Sequence, residues 1–403
     1  MEFATLKSIG FAGYKHSLKQ SIVNNMARDI INTTGPVLNP YVVGDPVSSK
    51  LFVSRPDIIG QLEKLWLTPG NQLQSVLLYG HRRAGKTSIL LNAAQSLGSQ
   101  LKVAYVNLLR LGNTPQGVGE VLMAISDEIS DAVNIPPPAD EDLLNLPYRT
   151  FERYLKQVEA NLSETVLIVA LDEFEKIEKL IEAGKIDKDF MEFLGGMVQM
   201  LPKIAFAFAG LHTLDEMTED YFKPFFASII PIRVGFLSLG ATRQVLANPD
   251  GDFPLDYKPE ALDRIYELTG GQPYLVQLVG FLLVRLYNER VFEMGRPRDP
   301  MFTLEDVETV INDPELFTRG PYYFTGVWGQ ATQGASGQQE ILRSLAPHLE
   351  GMNLDTLSQE TGMDETSLQE ALKTLERHDV VRESDGCYSI TVELFRRWVQ
   401  MSY

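Results

Sequence analysis

The chain has little cysteine and no pattern that would bind a metal through cysteine or histidine. Cys387 is its single thiol among 403 residues, which excludes an internal disulfide and a cysteine-based metal cage. The five histidines are scattered, without the spacing of metal ligands. A chain with one free thiol is typical of a reducing compartment, so we expect a cytoplasmic protein.

Long apolar runs are also missing. The most apolar helical stretch, residues 274–286, is interrupted by Gln277 and Arg285 and is too short to span a bilayer. The N-terminus lacks the basic start and apolar core of a secretion signal. We therefore expect no membrane partner.

Positive charge is scarce as well. Lys and Arg number 36 against 53 Asp and Glu, for a formal net charge of −17. Such a balance disfavours a surface that holds nucleic acid non-specifically, although a small basic patch stays compatible with it.

The hydrophobic fraction of 44% and the charged fraction of 22% are ordinary for a globular protein. The length predicts two to three domains.

Against these absences stands a complete phosphate-loop motif, G-x-x-x-x-G-K-[ST], at residues 80–87. An apolar strand pattern precedes it and a helix pattern follows, which is the setting the motif requires. Its backbone amides and the helix N-terminus would face phosphate oxygens. We expect Lys86 to contact the β- and γ-phosphates and Thr87 to ligate Mg²⁺. The predicted nucleotide-binding residues of the loop are Gly80, His81, Arg82, Arg83, Ala84, Gly85, Lys86, Thr87 and Ser88.

A second motif follows the apolar run at 167–171, which ends in Asp172-Glu173. Unbroken apolar runs are typical of parallel strands buried on both faces. Asp172 is the candidate to hold Mg²⁺, and Glu173 the candidate to orient and deprotonate an attacking water. An acidic helix N-terminus would explain the pair without chemistry, but the phosphate loop upstream favours the catalytic interpretation. The predicted catalytic residues are Glu173, Lys86 and Asp172, with Thr87 and Asp172 as metal ligands and ATP and Mg²⁺ as cofactors.

Strand and helix patterns alternate from residue 74 to residue 237 without hairpin signals. This predicts an α/β P-loop NTPase core with a five-stranded parallel sheet and helices on both faces. The pattern then becomes purely helical, and the last residues give three helix patterns and a hairpin, the order of a winged helix. The predicted divisions are 1–38 for an N-terminal helical extension, 39–248 for the ATPase core, 249–311 for a helical lid, 312–337 for a linker, and 338–403 for the winged helix.

Together these motifs resemble the STAND/AAA+ group of P-loop ATPases, particularly its prokaryotic members. The segment 51–55 resembles their Phe-x-Gly-Arg box, with Ser54 in place of glycine, and implies that Arg55 lies near the nucleotide. Thr269-Gly-Gly-Gln-Pro273 resembles the GxP signature of the lid and implies that Pro273 lies near the base. The resemblance implies a slowly hydrolysing ATP switch in signal transduction. It would form a homo-oligomer and regulate a protein partner or effector.

The resemblance also directs attention to four further polar residues. His212 and Thr213 follow the fourth strand pattern as candidate γ-phosphate sensors, although a polar strand-to-loop junction explains them equally well. Arg233 and Arg243 lie in the region of a trans-acting arginine finger, with plain surface arginines as the alternative.

Two other functions stay open. A DNA-handling ATPase, such as an initiator or a transposition regulator, pairs a similar module with a DNA-reading winged helix. Residues 338–403 carry six basic and twelve acidic side chains, a balance of −6, which opposes the phosphate contacts of such a domain. The third function is a nucleotide-binding scaffold without turnover, against which Asp172 and Glu173 argue.

Overall fold

The computed structural model describes residues 35–47, 51–53, 55–68, 73–112, 117–210 and 228–403. The predicted amphipathic helix of the N-terminal extension, at about residues 14–31, lies outside these ranges. Among the helices that the described residues form, none combines the length and the apolar character of a membrane span.

A five-stranded sheet forms the centre of the core. Its strands are β1 (Ser75–Tyr79), β2 (Leu101–Asn107), β3 (Val166–Asp172), β4 (Ile204–Gly210) and β5 (Ile229–Arg233). They lie in the order β2-β3-β4-β1-β5, and every neighbouring pair is parallel. The central strands β3 and β4 are almost fully buried, as their unbroken apolar runs predict. The predicted α/β class and parallel five-stranded sheet are confirmed.

The last strand lies earlier in the chain than its pattern predicted. We expected it at residues 232–237, but β5 ends at Arg233. The Val234 amide still donates to the Tyr79 carbonyl of β1 at 2.7 Å, and by Leu237 the chain pairs with the lid, where the Leu237 amide donates to the carbonyl of Gly271 at 2.8 Å.

Helices cover both faces of the sheet, because alternate residues of the strands face opposite sides. One face packs against α1 (Pro56–Trp66) and α2 (Lys86–Leu97). The other packs against a larger group of helices. They are α3 (Val118–Val133), α4 (Asp140–Asn145), α5 (Pro147–Asn161), α6 (Glu175–Glu182) and α7 (Asp189–Met200). A short 3₁₀ helix, Leu108–Leu111, follows β2.

The lid is helical, as predicted. It contains α8 (Leu239–Ala247), α9 (Pro259–Thr269), α10 (Pro273–Asn288), a π-helical turn (Glu289–Glu293) and α11 (Leu304–Ile311). The short parallel strands β6 (Asp256–Tyr257) and β7 (Met301–Phe302) pair beside them. The segment before the core, 35–47, lies along α10. The Val42 amide donates to the side-chain oxygen of Gln277 on α10 at 3.1 Å, and the Tyr41 hydroxyl donates to the Leu246 carbonyl on α8 at 2.6 Å.

Residues 312–337, which we predicted to be a linker, instead contain α12 (Pro314–Arg319) and α13 (Pro321–Gln330). Their prolines occupy first-turn positions, where the missing N–H has no helical partner in any case. Their large side chains, including Tyr323, Phe324 and Trp328, join one apolar cluster with the lid and the C-terminal domain. The composition that indicated a linker therefore belongs to a packed helical bridge.

The C-terminal domain has the predicted winged-helix layout. It consists of α14 (Gln338–Leu345), β8 (Met352–Asn353), α15 (Leu354–Thr361), α16 (Glu365–Arg377), β9 (Val381–Ser384), β10 (Cys387–Ile390) and α17 (Glu393–Ser402). The wing is the antiparallel sheet β8-β10-β9. Asp364 caps α16, the second helix of the helix-turn-helix, by accepting from the Ser367 amide at 3.1 Å.

Candidate functional site

The phosphate loop connects the C-terminal end of β1 to the start of α2 at Lys86. Gly80 opens the loop with φ of 144°, and a Cβ atom there would lie 2.4 Å from the carbonyl oxygen of Val234. The loop can therefore approach β5 this closely only with glycine at this position. At the other end the loop leads into the N-terminus of α2, and helix N-termini commonly bind anions through their first amides.

Lys86 lies across the mouth of this loop. Its ammonium donates to the carbonyls of Gly80 at 2.9 Å and His81 at 3.1 Å. Burial lowers the pKa of Lys86, and nearby carboxylates, of which Glu175 acts most strongly, oppose that shift. The side chain is thus placed inside a pocket of acids and carbonyls at the motif's centre.

Asp172, at the end of β3, accepts hydrogen bonds on both carboxylate oxygens. The Thr87 hydroxyl donates to Oδ2 at 2.7 Å and the Tyr105 hydroxyl donates to the same atom at 2.8 Å. Oδ1 accepts from the Glu173 amide at 3.0 Å. With only 3% of its surface exposed, the carboxylate depends on these donors to satisfy its charge. Tyr105 was absent from the sequence prediction.

Glu173 differs sharply from its neighbour. Its backbone has φ of 58°, uncommon for a residue other than glycine, and its side chain is exposed at the edge of the cleft. Such left-handed conformations concentrate at functional sites. An exposed carboxylate beside a buried one gives the site two acids with different surroundings.

The oxygens of Thr87 and Asp172 suit Mg²⁺, which prefers hard oxygen ligands and keeps several waters or phosphate oxygens in its shell. In the ranges that the structure describes, no group of three His, Cys, Asp or Glu side chains could form an all-protein metal cage. A hydroxyl and one carboxylate at the end of a phosphate loop therefore fit a Mg²⁺ ion shared with a nucleotide.

A cleft of about 350 Å³ extends from this carboxylate to the lid, a volume within the usual range of ligand pockets. Its walls include the apolar side chains of Val47, Phe52, Leu237 and Val245. Of the predicted site residues, the structure brings eleven to its walls: Arg55, Arg82, Arg83, Ala84, Gly85, Lys86, Thr87, Ser88, Asp172, Glu173 and Pro273. Gly80 and His81, the first two residues of the loop, do not line the cleft.

The lid holds the phosphate loop from outside through Gln272, the middle residue of the GxP sequence. Its side-chain amide donates to the carbonyls of Arg82 and Arg83, both at 3.2 Å. The guanidinium of Arg83 lies 4.7 Å from the ring centre of Tyr274 on α10 and donates to the Gly44 carbonyl at 2.9 Å. Sequence reasoning selected Pro273 for the base but missed that Gln272 joins lid and loop.

The winged helix holds the same loop from behind through His81. The His81 Nδ1 atom lies 2.6 Å from the His378 carbonyl oxygen, and Nε2 lies 3.2 Å from the Tyr323 hydroxyl. Since a carbonyl only accepts, Nδ1 carries the proton and Nε2 accepts from Tyr323. Burial, together with the charges of Lys86 and Arg82, lowers the pKa of His81 to about 4. The ring is therefore neutral, and it is 1% exposed.

The predicted arginine-finger candidates have partners within the chain and do not line the cleft. Arg233, at the end of β5, pairs with Asp379 of the winged helix. Arg243 pairs with Asp263 between two lid helices. The candidate sensors His212 and Thr213 lie outside the described residues, so their prediction stays untested.

Comparisons with known proteins bear on the fold. Residues 340–385 match the family model of the IclR helix-turn-helix domain, and no curated protein matches the chain. The Walker-type ATPase of Pyrococcus abyssi has a similar structure, with 16% identity and a TM-score of 0.63 over 87% of this chain and 96% of that one. The Aeropyrum pernix ORC2 protein, solved in ADPNP–ADP complexes, has 15% identity and a TM-score of 0.45 over 89% of this chain and 96% of that one. Cdc6p of Pyrobaculum aerophilum has 15% identity and a TM-score of 0.44 over 91% of this chain and 99% of that one.

At this identity the likeness to the Pyrococcus protein shows the fold alone, a P-loop α/β core followed by helices, and the family model adds a C-terminal helix-turn-helix. It does not single out the STAND group. Because the C-terminal match is to a helix-turn-helix, the comparisons favour the DNA-handling alternative over the signalling switch. The acidic charge of residues 338–403 argues in the other direction.

Proposed function

We propose that the chain is a Mg²⁺-dependent ATPase whose nucleotide state controls the attachment of the winged helix to the core. One observation carries this proposal: Lys86 and the winged helix hold opposite sides of the same residue, His81. The ammonium of Lys86 donates to the carbonyl of His81, and the His378 carbonyl of the winged helix accepts from the ring of His81.

The residues around the cleft divide the work of hydrolysis. The adenine base would contact the cleft residues Phe52 and Pro273, and the phosphates would accept from the amides of the loop. Thr87 and Asp172 would hold a Mg²⁺ ion, whose positive charge would stabilise the charge that develops on the phosphates. Lys86 contacts the terminal phosphates, and the exposed Glu173 orients and deprotonates the attacking water.

The coupling follows from competition for Lys86. Its ammonium now donates to the carbonyls of Gly80 and His81. A phosphate that draws the ammonium forward weakens those two contacts and frees the loop around His81. The ring of His81 then shifts relative to His378 and Tyr323, which are fixed in other domains. A γ-phosphate attracts Lys86 more strongly than ADP does, so the two nucleotides differ in their effect on attachment.

A second candidate concerns what the winged helix binds once it is released. The helix-turn-helix match supports duplex DNA, and the N-terminal half of α16, the part that contacts bases in such motifs, is exposed. Asp364, Glu365 and Glu370 lie on that exposed half and would oppose DNA phosphates. Titration with a labelled duplex separates the possibilities. Binding that weakens steeply as salt rises supports DNA, and no binding at low salt leaves a protein partner or a second copy of the chain.

Two variants test the ATPase. We expect Lys86→Ala to abolish ATP binding, and Glu173→Gln to keep binding while kcat falls by about 10²- to 10⁴-fold, the usual contribution of a general base. Fluorescent-nucleotide binding and phosphate release measure the two effects. Lys102→Ala and Glu182→Gln, which change exposed residues of the same charge, are the matched controls. Equal loss of binding in Lys86→Ala and Glu173→Gln would contradict the assigned roles.

A further inference from the structure

Tyr105 lies on β2, the strand beside β3. In the register of the two strands Asn107 is opposite Asp172, and Tyr105 is two residues earlier on the same strand. Residues two apart face the same side of a sheet, and registered partners share that side. Tyr105 and Asp172 therefore both face α2, and the phenol oxygen reaches Asp172 Oδ2 at 2.8 Å.

Asp172 Oδ2 accepts hydrogen bonds from two hydroxyl groups, those of Thr87 and Tyr105, which have different roles. Thr87 belongs to the phosphate loop, and its hydroxyl is also the metal ligand that the motif supplies. Tyr105 lies outside the loop, so its hydrogen bond to Asp172 does not compete with a metal contact. On this carboxylate, which is 3% exposed, Oδ2 thus has one hydroxyl donor shared with the metal and one that is not, while Oδ1 accepts from the Glu173 amide.

Resting on the proposed ATPase function, we infer that Tyr105 is a positioning residue that orients the Asp172 carboxylate for Mg²⁺. Groups that hydrogen-bond to metal-binding carboxylates fix their orientation, and their loss typically weakens metal affinity by about 10- to 100-fold. Tyr105 also lines the cleft. Its ring packs with the apolar layer between the sheet and α2, so the hydroxyl can be removed without removing that packing.

The variant Tyr105→Phe tests this role. Binding of mant-ADP is measured first in EDTA and then as Mg²⁺ is added. We expect the metal-free affinity to stay within about twofold and the Mg²⁺ midpoint to rise about 10- to 100-fold. Direct Mn²⁺ binding to the ADP complex, followed by electron paramagnetic resonance, should weaken in parallel. The control is Tyr154→Phe, which removes a tyrosine hydroxyl that donates to the Ile135 carbonyl just after the end of α3; it should leave the Mg²⁺ midpoint unchanged.

Three results would overturn the inference. An unchanged Mg²⁺ midpoint in Tyr105→Phe, with normal nucleotide binding by the wild-type chain, refutes the role of Tyr105 alone. Equal weakening in EDTA and in Mg²⁺ shows a structural role instead. Absence of nucleotide binding by the wild-type chain refutes the proposed ATPase and the role of Tyr105 together.

Discussion

Replacing His81 with phenylalanine should detach the winged helix from the phosphate loop. The substitution keeps an aromatic ring at this position, where the His81 and Phe236 rings pack edge-to-face with their centres 5.1 Å apart. It removes both ring nitrogens, and with them the bonds to the His378 carbonyl and the Tyr323 hydroxyl. Packing is largely preserved, so the variant isolates the polar contacts.

The magnitude follows from burial. Tyr323 is 0% exposed and His378 is 7% exposed, so water cannot replace the lost partners while the domains are attached. A buried polar group without a partner costs about 1 to 3 kcal/mol, and two such groups cost about 2 to 6 kcal/mol. In the detached form these groups form hydrogen bonds with water, so the free-energy cost destabilises the attached form only. Even 2 kcal/mol lowers the attachment equilibrium about thirtyfold.

Hydrogen–deuterium exchange of the segment from α16 to β9 reports attachment. We expect faster exchange there in His81→Phe, with exchange in the central strands β3 and β4 unchanged. His348→Phe is the matched control, because His348 is a half-exposed histidine of the winged helix that pairs only loosely with Glu360 at 3.9 Å. Identical exchange in His81→Phe and the wild-type chain would refute the reasoning, since it would mean that these bonds do not hold the domain.

The other predictions concern pH and the lid. The attached form lowers the pKa of His81 from its ordinary 6.5 to about 4, so the detached form binds the extra proton between these values. Attachment is therefore complete above pH 6.5 and weakens as pH falls, by at most about 2 kcal/mol at pH 5 because Lys86 and Arg82 stay beside the ring in the detached form; exchange measured at pH 6.5 and pH 5 should show this, and His81→Phe should lose the dependence. Gly271→Ala places a Cβ atom 2.1 Å from the Leu237 carbonyl oxygen, at a residue whose φ is 75°. We therefore expect the free energy of unfolding to fall by about 1 to 3 kcal/mol or more. Thermal denaturation measures it, and an unchanged Tm would show that the lid loop can relax.

The sequence predicts those parts of this protein that depend on short, local patterns. Eight consecutive residues specify the phosphate loop, and an apolar run that ends in Asp172-Glu173 specifies a buried strand with acids at its tip. The parallel sheet follows from alternating strand and helix patterns. Each of these signals is contained within a few turns of chain, so no knowledge of distant contacts is needed.

The contacts that give the site its organisation are long-range. Tyr105 is 67 residues from Asp172, Gln272 is 190 residues from Arg82, and His81 is 297 residues from His378. No local periodicity records which distant group a tyrosine, a glutamine or a histidine will meet. The helices at 312–337 were missed for the same reason, because their aromatic residues are core residues only when the lid and the winged helix pack around them.

The central claim is that nucleotide state controls the attachment of the winged helix. Its most direct test is the distance between spin labels on the wing and the core, at Asp385→Cys and Leu109→Cys, with Cys387 replaced by serine and Glu173→Gln added to prevent hydrolysis. Both labelled positions are exposed. We predict one distance with ADP and a longer or broader distribution with ATP and Mg²⁺. The same distribution with both nucleotides, when both are bound, would contradict the account.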